Sequence, residues 1–304
     1  MSDKFKIGID YGGTKIEAIL INDKGEEIKR ERSHYDQNYE SGISTVKKFV
    51  ESFKKISNKE ASVGMAIPGF LSKETGLVHN ANSDWLNNKF FKKDLETSLN
   101  CEIKMMNDAN CFTLSEAIDG AGKDFKSVFG VIIGTGFGGG LSFKKEIIEG
   151  ANQVAGDWGH QPLPYPTSEE MGTEIKCASP TCGRPLCAEQ FISGTGFTNV
   201  FNNKYNTKLT SPEIVELDKN KDQRADNELK LYEDRFARLI SVMIGVFDPE
   251  AIILGGGMSN IDRLYDNLPN IIPKYTFSEK VRTKVLKNKH GDSSGVRGAA
   301  WLWN

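Results

Sequence analysis

Asp10-Tyr11-Gly12-Gly13-Thr14-Lys15 lies between two short strand-like runs, Lys6–Asp10 and Lys15–Ile21. Strand, two-glycine turn and strand make a hairpin, and the glycines let the backbone take positive φ and turn its N–H groups outward. With no side chain in the way, a phosphate can approach those N–H groups closely. Thr14 and Lys15 add a hydroxyl and a cation, and Asp10 at the strand end is placed to hold magnesium through water. An ordinary hairpin turn would explain the same six residues, so the motif gains weight only from what accompanies it.

Working outward, Asp23-Lys24-Gly25 turns the chain into a third strand at Glu27–Tyr35. Ile43, Val46, Val50 and Phe53 recur at helical spacing. Ser62–Ile67 reads as a buried strand stopped by Pro68-Gly69, and Cys101–Met106 as a strand leading through Asn107-Asp108 into a helix over Ala109–Ile118. After Gly120-Ala121-Gly122 the order begins again, with a strand at Ser127–Ile133, a turn at Gly134–Gly138 and a strand at Gly139–Phe143. Lys204–Asn227 is polar enough to read as a surface excursion. Leu231, Phe236, Leu239, Ile240, Met243 and Phe247 mark a long amphipathic helix broken by Asp248-Pro249 before the strand Ala251–Leu254, and a helix over Val296–Trp303 closes the chain. The repeated order predicts two α/β lobes of related topology with mixed sheets. Residues 1–119 form the first, completed by the C-terminal helix 292–304, and residues 120–291 form the second.

The second lobe brings two further glycine turns. Gly134-Thr135-Gly136-Phe137-Gly138-Gly139-Gly140 holds five glycines in seven residues, a loss of backbone entropy that some close contact must offset. It satisfies G-x-G-x-x-G, but the dinucleotide fingerprint needs a helix next, and Leu141-Ser142-Phe143-Lys144-Lys145 reads as strand and turn. No G-x-x-x-x-G-K-[ST] occurs either. Gly255-Gly256-Gly257-Met258-Ser259, after a buried strand, suits a flat adenine or ribose laid on bare backbone.

Composition narrows the partners. The 304 residues carry a net charge of -2, which provides no long-range field for gathering nucleic acid or anionic lipid, so a bound phosphate must be held by local geometry. No apolar run is long enough to span a bilayer and the N-terminus lacks a signal-peptide core, so a cytoplasmic protein is expected. Of five cysteines, three cluster between Cys177 and Cys187, a pattern that in a reducing compartment reads as metal binding before disulfide. Asp108 stands where a strand meets a helix. Capping would explain an Asp there, although Asn107 and Asn110 could cap equally well.

The succession D-Y-G-G-T-K, G-M-A-I-P-G, N-D-A-N-C, G-T-G-F-G-G-G, a Gly-His followed by cysteines, and G-G-G-M-S resembles the ROK family of sugar kinases and repressors, over essentially the whole chain. Asn80–Asn87 and His290–Trp303 look most like bacterial fructokinases that also accept mannose. The resemblance implies a two-lobed, actin-like (RNase-H-like) fold with ATP between the lobes, transfer to the 6-hydroxyl of a hexose, and a homodimer. A glucose or N-acetylhexosamine kinase is the alternative acceptor class, and a non-catalytic sugar sensor is the more distant alternative. ROK repressors carry a DNA-binding module ahead of D-x-G-G-T, for which Asp10 leaves no room. Asp108 matches the general base, and Asn82, Asn107, Asp108, Asp157, His160 and Glu189 match the sugar-contacting positions. The nucleotide would meet Asp10, Gly12, Gly13, Thr14, Lys15, Gly134, Thr135, Gly136, Gly138, Gly255, Gly256 and Gly257. His160, Cys177, Cys182 and Cys187 are the implied ligands of a structural zinc. Two departures stand out. Asp157 replaces the family Glu of E-x-G-H, which withdraws the carboxylate by about 1.5 Å. The first cysteine of C-x-C-G-x-x-G-C falls on Pro180, with Cys177 as the substitute.

Overall fold

The computed structural model describes residues 5–57, 61–172, 177, 182–291 and 294–304. Twelve strands are present among them: β1 (Phe5–Tyr11), β2 (Lys15–Asn22), β3 (Glu27–His34), β4 (Ala61–Ile67), β5 (Phe70–Leu71), β6 (Val78–His79), β7 (Ile103–Asn107), β8 (Ser127–Ile133), β9 (Phe137–Phe143), β10 (Glu146–Ile147), β11 (Ala251–Gly255) and β12 (Lys284–Lys287). The helices are α1 (Tyr39–Ile56), α2 (Phe91–Leu99), α3 (Asp108–Ile118), α4 (Ser168–Met171), α5 (Ala188–Ile192), α6 (Gly194–Tyr205), α7 (Ser211–Lys219), α8 (Gln223–Phe247), α9 (Arg263–Ile271) and α10 (Ser294–Trp301).

Two five-stranded sheets run β3-β2-β1-β4-β7 and β10-β9-β8-β11-β12. Numbered by appearance within its own sheet, each has the order 3-2-1-4-5. In each, the first three strands are antiparallel and the last two run parallel to the first. The duplication expected from the sequence is therefore a duplication of topology. Each sheet has its own apolar core. Ile7, Ile9, Val46, Phe53 and Phe91 lie in the first, and Phe129, Val131, Phe197, Tyr232, Phe236 and Leu254 in the second. No helix among the described residues is long and apolar enough to cross a membrane.

The polar stretch Lys204–Asn227 is not an irregular excursion. It contains α7 and the start of α8, with Ile214 and Ala225 fully buried. Glu213 accepts the backbone N–H of Thr210 at 2.7 Å, so Thr210-Ser211-Pro212-Glu213 is a helix start whose signal was in the sequence. With only two inward positions, its periodicity is faint.

Helix α3 is buried on nearly every side from Ala109 to Ala117, as a helix between two layers must be. Four glycines make its seat. A Cβ on Gly130 would come within 2.1 Å of Thr113 Oγ1, on Gly140 within 2.6 Å of Asn110 Oδ1, on Gly255 within 2.4 Å of Phe112, and on Gly298 within 1.7 Å of the Cys111 carbonyl oxygen. Gly130, Gly140 and Gly255 belong to the second sheet, while Gly298 belongs to α10, whose backbone also lies against Gly8 of β1 and Gly64 of β4. Gly298→Ala is expected to force α10 off α3 and to destabilise the fold by about 1–3 kcal/mol, as overpacking does. An unchanged midpoint in urea or thermal denaturation would contradict this seating.

Candidate functional site

The register sets the site. β1, β4 and β7 are parallel, with Asp10 opposite Ala66 and Ile67 opposite Asn107, so Asp10, Gly69 and Asp108 come to one end of the first sheet. In the second sheet Ile132 is opposite Gly255, which brings the Gly134 and Gly256 turns together at the matching end.

At the α3 N-terminus the capping question is answered. Asn107 Oδ1 accepts the N–H groups of Ala109 at 2.9 Å and Asn110 at 3.3 Å, and Asn107 Nδ2 donates to the Gly69 carbonyl at 3.1 Å. Asn107 is thus mostly committed to structure, with one N–H left over, and Asp108 need not cap. Asp108 accepts the Ala109 N–H at 2.8 Å and is exposed to solvent. Its place between protein groups costs the carboxylate hydration and raises its pKa, against the backbone and Asn107 hydrogen bonds that oppose the rise. Asp10 is half-buried, and burial, then the Asp108 and Glu17 carboxylates, push it up to about 7 against the pull of Arg32 and Lys15. Glu17, opposite Asp10 in β2, is itself held by Arg30 and Arg32.

A shell of residues supports the first turn. Gly12 N donates to Lys15 O at 3.1 Å and the Tyr35 hydroxyl donates to Gly12 O at 3.0 Å, while Thr14 and Lys15 are exposed. Gly69 has φ 72°, and a Cβ there would collide with His79 O at 2.2 Å, so only glycine lets the 79–82 loop lie against the end of β4. Asn87 closes that loop by pairing with both the N–H and C=O of Ala81 at 2.9 Å, and Trp85 Nε1 donates to the Tyr11 hydroxyl at 3.2 Å. Asn82 projects from it, exposed. Sequence reasoning passed over Ser83, Tyr35 and Gly69. Ser83 is fully buried with an unpartnered hydroxyl that lies 3.5 Å from where a Gly13 Cβ would be, and only Pro68-Gly69 left a visible signal.

In the second lobe the glycines divide by role. Gly139 and Gly140 are held by packing on Phe129 and α3, Gly255 by Phe112, and Gly256, at φ 78°, by Ile133 O. Gly134, Gly138 and Gly257 face open space, and Gly136 meets only the Glu189 carboxylate. The bare backbone available to a ligand is therefore narrower than the glycine count suggests: Gly255 is buried, whereas Gly256 and Gly257 are exposed. Glu189 is buried; its Oε2 accepts Phe137 N at 3.1 Å and its Oε1 lies 3.5 Å from Cys177 Sγ. Asp157 is exposed with no side-chain hydrogen bond among the described residues. Gly156 beside it packs on Gly140, which also abuts Ala109 and Asn110, so Asp157 and the first turn of α3 flank one strand.

His160, Cys177, Cys182 and Cys187 offer four donor atoms within 4.8 Å of one another. His160 Nδ1 lies 3.5 Å from Cys187 Sγ and 3.9 Å from Cys177 Sγ, and Cys182 Sγ lies 3.7 Å from Cys187 Sγ. Tetrahedral zinc with bonds of about 2.0 Å to N and 2.3 Å to S sets its ligand atoms about 3.5–3.8 Å apart, so this donor set suits it. Cys177 joins the cluster, whereas Pro180 lies outside the described residues. His160 turns Nδ1 to the cluster, which leaves Nε2 for another partner.

Residues 6–304 match the ROK family. The chain belongs to the ROK family. An N-acetyl-D-glucosamine kinase of Aliivibrio salmonicida is 36% identical over 97% of this chain and 98% of its own length. Among solved structures, a ROK hexokinase from Thermus thermophilus superposes with a TM-score of 0.86 at 21% identity, over 98% of both chains. A ROK family glucokinase from Streptomyces griseus, solved with glucose and AMPPNP, gives 0.76 at 21% identity, also over 98% of both chains. The fold is thus the two-lobed, actin-like one that the motifs implied. The two segments that resembled fructokinases are largely occupied with structure. Asn87, Trp85 and the buried Leu86 shape the 80–87 loop, and His290, Arg297 and Trp301 all bind Asp119.

The raised Asp10 pKa has a definite sign. Between about pH 4 and about 7 the folded protein keeps a proton that the unfolded chain has released, so this group's contribution to stability is complete below about pH 4 and is lost as pH rises to about 7. In the unliganded protein, Asp10→Asn is therefore expected to remove that slope and be at least as stable as the parent at pH 8. Urea denaturation at pH 5 and pH 8 measures it, and an unchanged pH dependence would contradict the Asp10 assignment.

Proposed function

We propose that the protein transfers the terminal phosphoryl group of ATP to the 6-hydroxyl of a free hexose, with an N-acetylhexosamine such as N-acetyl-D-glucosamine as the favoured acceptor. The observation that carries this reading is Asp108, which Asn107 relieves of capping and which heads α3 at the Asp10 end of the first sheet, one residue before the Ala109 and Asn110 that abut Gly140 of the second. The acceptor class follows the curated relatives, which are named for N-acetyl-D-glucosamine over nearly their whole length. Fructose, suggested by Asn80–Asn87 and His290–Trp303, loses support because Trp85, Leu86, Asn87, His290, Arg297 and Trp301 of those segments are engaged in packing.

The transition state for phosphoryl transfer is loose, so the attacking hydroxyl keeps its proton until late and alignment matters more than base strength. The hydroxyl oxygen forms a bond to the γ-phosphorus, the bond to the β,γ-bridging oxygen breaks, ADP leaves, and Asp108 takes the hydroxyl proton. A raised pKa suits that task, since the group must accept a proton near neutral pH. The open backbone at Gly12, Gly13, Gly134, Gly136, Gly138 and Gly257 suits the phosphates, with Thr14, Thr135 and Lys15 beside it. Asp10 would hold magnesium through water, which supplies charge neutralisation when bound. Asn82, Asp157 and the free Nε2 of His160 are the side chains left available to sugar hydroxyls. Asp157, a methylene shorter than the family Glu, leaves extra room on its side of the acceptor.

Comparison of kcat/KM for N-acetylglucosamine, N-acetylmannosamine, glucose, fructose and mannose tests the reading. An N-acetylhexosamine is expected to lead. Fructose in the lead would restore the fructokinase reading, and no ATP-dependent product from any sugar would overturn both. In the same assay Asp108→Asn should fold and lose turnover by about 10²–10⁴; turnover near the parent's would remove Asp108 from the mechanism.

The four-donor cluster supports a structural zinc, which with all four positions filled by protein takes no part in the chemistry. It would fix the loop that carries His160 to α5, where Glu189 N already donates to Gly159 O at 2.8 Å. Purified protein is expected to hold one zinc per chain, and chelation should lower the melting temperature and raise KM for the sugar. Active protein without zinc by elemental analysis would end this assignment.

A further inference from the structure

The chain crosses between the two sheets twice, outward from α3 to β8 through residues 119–126 and back from β12 to α10 by a return of which residues 288–291 are described. Both crossings meet at one carboxylate. Glu116, on the last turn of α3, is fully buried, and no ion pair involves it among the described residues. Its Oε2 accepts Ala121 N at 2.8 Å, on the outward crossing. Both of its oxygens accept Lys289 N, at 3.1 and 3.2 Å, and Oε1 accepts His290 N at 3.4 Å and the Ser294 hydroxyl at 2.8 Å, on the return. Gly120 makes this wrapping feasible, because a Cβ there would come within 2.3 Å of Glu116 Oε2. A buried carboxylate without a cation persists only where N–H and O–H donors replace its water, and here those donors come from two segments far apart in the chain.

The surroundings point the same way. Asp119, three residues on, accepts from His290 Nε2 at 3.0 Å, from Arg297, and from Trp301 Nε1 at 3.1 Å, and its own carbonyl accepts Lys289 Nζ at 3.0 Å. Two lobes joined by two separate strands of chain can splay and twist about each independently. Joined at one point, they can only rotate about it. Asp108 stands eight residues up the same helix, about 12 Å away, so the pivot and the reacting carboxylate belong to one rigid rod.

We propose that Glu116 is a positioning residue that ties the two interlobe crossings into a single pivot, setting how Asp108 approaches the second-lobe turns when the lobes close. The catalytic half of this statement rests on the sugar-kinase reading above; the mechanical half does not.

Hydrogen exchange on Glu116→Gln, in the full-length protein, tests the mechanical half. Gln keeps the shape but turns one acceptor into a donor facing N–H groups. The amides of Ala121, Lys289 and His290 are expected to lose protection together, by about tenfold or more, while the first two turns of α3 keep theirs. Loosening of one crossing alone, or of neither, overturns the pivot. In the kinase assay the folded variant should lose kcat by roughly tenfold to a hundredfold with sugar KM changed far less, and Glu116→Asp should recover part of the loss. Parent-like kcat in folded Glu116→Gln, or a loss that only tracks the unfolded fraction, overturns the positioning role. Absence of turnover in the parent itself would count against the kinase reading and leave the exchange result to decide the pivot.

Discussion

Helix α3 meets the second sheet and α10 at backbone distance, α10 meets the first sheet in the same way, and the rest of the molecule is arranged around that contact. A helix normally stands off a neighbouring layer by the length of its side chains. Here Gly130, Gly140, Gly255 and Gly298 remove the spacers, so Thr113, Asn110, Phe112 and Cys111 rest directly on strand or helix backbone. Such close packing is stiff, since small changes in volume are felt at once. It gives a single reference frame to a carboxylate at one end of the helix and to the joint between the lobes at the other.

The same contact explains why glycine counts misled as a guide to ligand surface. In Gly134–Gly140 the turn residues and the strand residues look alike in sequence, yet Gly139 and Gly140 serve α3 and Phe129, while Gly134 and Gly138 are open. Gly255-Gly256-Gly257 divides likewise. A bare residue can admit a phosphate from one side or a neighbouring chain from the other, and the sequence does not record which side is occupied. The acceptor sugar presented a related difficulty. Segments that resemble a subfamily are informative only where their side chains remain free, and Asn87, Trp85, His290 and Trp301 do not.

Much of the architecture was legible in the residues. The strand runs, the punctuation by Pro68-Gly69 and Asp248-Pro249, and the restart after Gly120-Ala121-Gly122 predicted two lobes of related order, and the two sheets do share the order 3-2-1-4-5. The strands Ser127–Ile133 and Ala251–Gly255 and the helix Asp108–Ile118 fall at or within a residue of their expected bounds. Short or polar elements were missed because few of their positions face inward: α7 buries only Ile214. Of the candidate site, residue types and spacing marked Asp10, Asp108 and the cysteines, and the family resemblance added His160, but neither marked Ser83 or Tyr35, which are isolated residues with no motif around them.

Local chemistry is written in sequence because it depends on neighbours along the chain: where glycine permits a turn, where proline stops a strand, which carboxylate heads a helix, which thiols lie close enough to share a metal. Those determined the lobes, the turns and the candidate reactive groups of this protein. Whatever depends on partners far along the chain was decided only by the fold. Asn107 rather than Asp108 caps α3 because the Gly69 carbonyl arrives to orient it. Cys177 joins the cluster despite its unusual spacing, with its Sγ 3.9 Å from His160 Nδ1, a closeness that sequence separation does not record. Glu116, unremarkable in the sequence, becomes the meeting point of two distant segments because a buried charge must gather every donor within reach.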